Sequence, residues 1–111
     1  MSFQKGEVHL VNLDPTIGSE IKKIRPAVIV SNNVININSP VVVICPITDS
    51  TGKTSPIHVL IKEKEGGLKK ESVANCLQIR CIDQSRLYEK IGNLSAQKMS
   101  EIEKGIGYVM F

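Results

Sequence analysis

RPAVIVSNNVININSPVVVICPI, residues 25–47, holds two dense apolar runs parted by an asparagine-rich segment. The first run, AVIVS after Arg25-Pro26, is β-branched and has no polar position to turn toward water, which predicts a central strand close to the core. The second, PVVVICPI over 40–47, predicts another buried strand. Residues 32–39 break the pattern between them, because asparagine and serine compete with regular backbone pairing. Neither run approaches the roughly 20 apolar residues needed to span a bilayer. Both are therefore read as core strands, and no membrane contact is expected.

The flanks extend the same reading. Upstream, GEVHLVNLD carries Val8, Leu10, Val11 and Leu13 and stops at Asp14-Pro15, where proline cannot continue a ladder. Residues 15–24, PTIGSEIKKI, then form a connection longer than hairpin geometry requires. Downstream, TDSTGKTSP reads as a turn through Pro56, IHVLI as a strand, and KEKEGG as a tight turn built on paired glycines. SVANCLQIR over 72–80 and RLYEKIGNL from 86 supply further strand material. Five or more short strands at this spacing predict a mainly β domain, with short helical turns in its loops. After Asn93 the period changes. Ser95 is a suitable N-cap, and Met99, Ile102, Ile106 and Val109 recur on one helical face. Gly105 and Gly107 each cost about 1 kcal/mol against alanine inside that helix, so it should depend on docking against the sheet.

Composition bounds the rest. With 111 residues, 41% hydrophobic, 23% charged and mean hydropathy +0.00, the chain is expected to fold as one domain, 1–111. The aromatics are Phe3, Tyr88, Tyr108 and Phe111, too few for a base-stacking platform. A net charge of +3 decides little, whereas the local cluster Lys22, Lys23 and Arg25 suits phosphate. Cys45, Cys76 and Cys81 lie in apolar surroundings and are expected to be buried, reduced thiols. Only His9 and His58 could extend Cys76 and Cys81 toward a metal site, and neither is near in sequence, so no metal or cofactor is expected. MSFQKGE has no apolar signal segment, which points to the cytoplasm.

No glycine-rich phosphate loop, HExxH or paired carboxylates occur. His9 between Val8 and Leu10, and His58 between Ile57 and Val59, read first as sheet-packing residues and only second as bases. Polar groups at the ends of apolar runs form the remaining candidate constellation: Ser19, Glu20, Arg25, Thr48 and Gln78. Each has an ordinary structural reading: an ion pair for Arg25, a turn for Thr48, backbone satisfaction for Gln78. These residues alone leave an enzyme and a binding module both open.

The stretches GEVHLVNLDPTIGSE, RPAVIVSNN, SPVVVICPIT, GLKKESVANCLQIRCIDQSRL and EKIGNLSAQKMSEIEKGI, taken in order, resemble the PemK/MazF family of endoribonuclease toxins across essentially the whole chain. The resemblance implies a small SH3-like antiparallel β-barrel with a C-terminal α-helix, usually a homodimer. It implies metal-independent, sequence-specific cleavage of single-stranded RNA or mRNA, leaving 2′,3′-cyclic phosphate and 5′-hydroxyl ends, and neutralisation by a cognate antitoxin protein. It places Arg25 and Thr48 in catalysis and Ser19, Glu20 and Gln78 in RNA binding or its support, beside Lys22 and Lys23. His9 and His58 are fallback bases. Ile21-Lys22-Lys23-Ile24 replaces the glycine pair or glutamine-rich stretch common there, which predicts a stiffer and more positive loop. Cys81 stands where threonine is common. A non-catalytic binding module and a gyrase-inhibiting toxin on the same fold are the competing functions.

Overall fold

The computed structural model describes residues 3–52 and 54–111. Among them run seven strands: β1 (Glu7–Asn12), β2 (Ile24–Ile29), β3 (Val41–Asp49), β4 (His58–Ile61), β5 (Ser72–Asn75), β6 (Arg80–Asp83) and β7 (Leu87–Asn93). A short helix α1 (Asn33–Asn38) joins β2 to β3, and α2 (Ala96–Met110) ends the chain. All strand pairings are antiparallel, in the order β4-β5-β3-β2-β1-β7, with β6 added to β3. That path ends on β4 and β7, so the expected barrel is a curved sheet whose hydrogen bonding does not close.

β3 organises this sheet. Along one edge, Val41–Ile44 pair with β6 and Ile47–Asp49 with β5; along the other, Ile44–Pro46 pair with β2. Because side chains alternate, β2 and β3 each present apolar residues to two layers. Val28, Cys45 and Ile47 pack with Ile61, Leu94, Met99 and Ile102 on the α2 side. Ala27, Ile29, Val42 and Ile44 pack with Val11, Leu13, Ile82 and Leu87 on the other. Burial on both faces explains why AVIV and VVVIC lack hydrophobic alternation.

Ser95 caps α2 as expected, its hydroxyl accepting from the Lys98 N–H at 3.1 Å. Met99, Ile102 and Gly105 are its buried residues. A Cβ at Gly105 would stand 2.6 Å from the Cys76 sulfur and 2.8 Å from the Pro56 carbonyl oxygen. The residue that weakens the isolated helix therefore permits its close seating on the sheet.

Residues 32–39, the break between β2 and β3, hold one of the expected short helical turns, because the Asn32 side chain accepts from the Ile35 N–H at 3.0 Å and caps it. Three expectations need correction. SVANCLQIR is not one strand: Asn75 Oδ1 accepts from the Leu77 N–H at 3.0 Å and starts a 3-10 turn over Cys76–Gln78, separating β5 from β6. Thr48 lies within β3 rather than at its exit, since pairing with β5 carries that strand to Asp49. Cys81 is exposed on β6, while Cys45 and Cys76 are buried together in the core.

The thiols consequently differ in chemistry. A hydrogen bond to Cys76, and after it burial, pushes the Cys45 thiol well above its ordinary range. In the native protein, iodoacetamide is expected to label Cys81 alone, with Cys45 and Cys76 reacting after denaturation. Peptide mapping that finds either buried thiol labelled as fast as Cys81 in the folded protein would contradict this packing.

Candidate active site

The connection between β1 and β2 is held at both ends and in the middle. The Leu13 N–H donates to the Lys23 carbonyl at 3.0 Å, and the Lys23 N–H donates to Asp14 Oδ1 at 3.0 Å. This closure holds Lys23 at φ 72, in the left-handed region that a lysine rarely occupies. Near the tip, the Glu20 carboxylate accepts from the Ile17 N–H. Gln78 reaches over from the 3-10 turn: its Oε1 accepts from the Ile21 N–H at 2.7 Å and its Nε2 donates to the Ser19 carbonyl at 3.2 Å. Both ends of one carboxamide thus grip the same stretch of loop.

Two arginines that sequence reasoning did not single out complete the fastening. Arg80 Nη1 donates to the Leu13 carbonyl at 3.0 Å. Arg86 Nη1 donates to the carbonyls of Asn12 at 3.2 Å and Asp14 at 2.6 Å. A guanidinium is suited to this task, since it offers five donors in a rigid plane and never loses its charge. The only signal in the sequence was their place in LQIR and QSRL, beside strand residues.

Between loop and turn lies an open cleft of about 480 Å³, lined among others by Ser19, Glu20, Ile21, Pro46, Gln78 and Arg80. Of the expected site residues, this lining gathers Ser19, Glu20 and Gln78 directly. Strand register relates Arg25 and Thr48 to it. Ala27 pairs with Pro46; alternation then puts Arg25, two residues before Ala27, and Thr48, two residues after Pro46, on the face that carries that pair. The β2–β3 pairing itself stops at Ala27 and Pro46. Pro26 lacks the N–H group that would carry the ladder on toward Ile47, so the β2–β3 pairing ends before Arg25 and Thr48. Arg25 is half-buried and Thr48 is half-buried, and neither engages an ion partner among the described residues. Lys22 and Lys23 are exposed, outside the cleft lining, and likewise unpaired among the described residues.

The histidines separate clearly. His9 is buried, with Nδ1 at 3.0 Å from the Tyr88 carbonyl, Nε2 at 2.9 Å from Glu7, and Phe3 packed edge-on against its ring. Both ring nitrogens are already engaged. His58 is half-exposed, bonded through Nδ1 to the Ser55 hydroxyl at 2.8 Å. It shares a hollow of about 180 Å³ with Thr48, Asp49, Thr51, Val73 and Asn75. Thr48 pairs with Val73, and Asn75 pairs with His58, so alternation puts His58 and Thr48 on one face, two strands apart.

Residues 4–110 match the family model described as PemK-like, MazF-like toxin of type II toxin-antitoxin system. An endoribonuclease MazF from Staphylococcus epidermidis is 41% identical over 105 residues, covering 94% of this chain and 88% of that relative. Among solved structures, MazF from Deinococcus radiodurans superposes with a TM-score of 0.85 at 23% identity, over 99% of this chain and 97% of its own. A mycobacterial endoribonuclease solved in complex with its cognate antitoxin gives 0.80 at 22% identity, over 97% of this chain and 94% of its own. The two structures share the fold; the family match and the staphylococcal relative reach further. This chain belongs to the PemK/MazF family of toxins of type II toxin-antitoxin systems.

Proposed function

We propose that the protein is a sequence-specific endoribonuclease that cuts single-stranded RNA without a metal, in the cytoplasm, as a homodimer restrained by a cognate antitoxin. This reading is supported by alternation from the Ala27–Pro46 pair, which puts Arg25 and Thr48 on the face that carries Pro46 of the Ser19–Gln78–Arg80 cleft. RNA brings its own nucleophile, so such a site needs donors more than a reactive side chain. The 2′-oxygen attacks the adjacent phosphorus and gives up its proton, the bond to the 5′-oxygen breaks, and that oxygen takes a proton on leaving. The products are a 2′,3′-cyclic phosphate and a 5′-hydroxyl. As charge grows on the non-bridging oxygens, Arg25 supplies charge-assisted donors and Thr48 a hydroxyl donor, both aimed where charge develops. Lys22 and Lys23 add long-range attraction for the strand at the rim.

Proton transfer is assigned to His58 in preference to His9. His58 shares a hollow with Thr48 and spends no Nε2 bond among the described residues, while both nitrogens of His9 serve the sheet. His58→Gln is expected to lower kcat by about 10²-fold, the low end for a lost general acid or base, and to remove one limb of the pH–rate profile. An unchanged profile would withdraw the assignment.

A labelled single-stranded RNA incubated with the protein in EDTA tests the main reading. Fragments ending in cyclic phosphate are expected, and sequencing the 5′-hydroxyl ends across a transcript pool gives the preferred site. Intact RNA under these conditions overturns it. The acid-rich antitoxin segment suited to this cationic face would compete with RNA, so saturating antitoxin is expected to stop cleavage.

A further inference from the structure

Arg80 has a position that loop fastening does not account for. It pairs with Ile44 at the start of β6, and a paired residue shares its partner's face. Ile44, Pro46 and Thr48 alternate along that face of β3, so Arg80, the cleft floor at Pro46 and Thr48 lie along one face, with Arg25 on the same face of β2. Four residues of strand, at about 3.3 Å each, put the Arg80 end roughly 13 Å from the Thr48 end.

The side chain is half-buried and lines the cleft. One donor is spent on the Leu13 carbonyl at 3.0 Å, which fixes the guanidinium in place, and no carboxylate lies within ion-pair distance among the described residues. Arg86 contrasts with it, since its Nη1 bridges two carbonyls and it is absent from the cleft lining. Arg80 is therefore an anchored, uncompensated cation with unspent donors in a cleft that also offers the Ser19 and Gln78 side chains.

We infer that Arg80 is a phosphate-binding residue of the RNA cleft, holding a backbone phosphate next to the scissile one. This rests on the endoribonuclease reading above. A fork of N–H donors fits the oxygens of a phosphodiester, and anchoring by Leu13 spares the ordering cost that a free arginine incurs on binding. The contact is made equally before and during bond cleavage, so it acts on KM and leaves kcat at saturating RNA essentially unaltered. It carries no base identity, so the preferred cleavage sequence stays the same.

The test measures binding of a non-cleavable single strand, with a 2′-deoxy nucleotide at the cut position, over a range of salt. Arg80→Gln keeps a side-chain N–H for the Leu13 carbonyl but removes the charge; Arg80→Met removes both; Arg80→Lys keeps charge without the fork. Both uncharged variants are expected to bind about tenfold more weakly, and the slope of log K against log salt to flatten by about 0.7, one phosphate contact on a single strand. Arg80→Lys is expected to keep the slope. A wild-type slope in Arg80→Gln, with its thermal unfolding intact, overturns the phosphate role and leaves Arg80 a loop fastener. A fall in kcat without a change of slope overturns it as well. Failure of the wild-type protein to cut RNA is a separate result, which removes the endoribonuclease reading itself.

Discussion

Arg25→Ala is expected to reduce kcat on single-stranded RNA by about 10²–10³-fold, the range seen when a donor to developing negative charge is removed, with little change in thermal stability. The side chain is half-buried at the start of β2 and holds no ion partner among the described residues, so its loss strips no structural bond. Thr48→Val keeps the shape and β-propensity of that strand position while deleting the hydroxyl, and is expected to cost kcat by about tenfold or more, as one neutral hydrogen bond would. In the proposed mechanism the two residues address one phosphate. The double variant should therefore fall short of the product of the single losses, as groups acting as a unit do. Arg25→Lys retains charge but loses the fork, and should recover only part of the rate. Single-turnover cleavage with purified protein reads all four; a wild-type rate for Arg25→Ala would remove Arg25 from the chemistry.

The largest effect on stability is expected far from that face. Gly66 and Gly67 of the KEKEGG turn sit against Gly92 of β7 so closely that backbone meets backbone. A Cβ on Gly92 would overlap the carbonyl group of Gly66 and stand 2.7 Å from the Gly67 nitrogen. Neither neighbour is a flexible side-chain end that could swing aside. Gly67 is at φ 78, so the turn has little freedom to retreat through a substituted residue. Gly92→Ala is expected to destabilise by about 3 kcal/mol, the upper range for overpacking, and to lower Tm by roughly 10 °C or more for a domain of this size. Thermal unfolding followed by circular dichroism checks it. A wild-type Tm would mean that β7 and the turn are not in this contact.

Much of the fold was legible because its signals are local. The double-faced burial of β2 and β3 is written as β-branched runs without alternation, and α2 is written as a cap followed by an apolar period of helical spacing. The errors also have local causes that only tertiary packing reveals. Asn75 ends β5 by a side-chain bond to its own backbone two residues on, which cut SVANCLQIR into strand, turn and strand. Cys81 faces solvent because β6 adds to β3 with Ile82 inward, and alternation sends its neighbour out.

The candidate site was legible as a list of residue types and illegible as an arrangement. Ser19, Glu20 and Gln78 converge because Gln78 bonds the loop backbone at residues 19 and 21, a contact across 57 and 59 positions of chain. Arg80 and Arg86 carried no distinguishing signal, since an arginine beside a strand residue looks the same in sequence whether it meets water or a carbonyl. His9 and His58 had equivalent apolar neighbours, yet one has both ring nitrogens consumed by Glu7 and Tyr88 while the other engages only Nδ1 among the described residues and lines a hollow with Thr48.

The sequence by itself determined the strands, the helix and the residue types offered for chemistry, because propensity, capping and burial patterning act over a few neighbours. The tertiary structure alone decided which of those residues share a face. Register is set by long-range pairing, and a slip of β3 by one residue would turn Thr48 to the face opposite Arg25 and Arg80. Pro26, local in sequence, removes a donor from the β2–β3 ladder, but only the pairing of Ala27 with Pro46 shows that the ladder ends before Thr48.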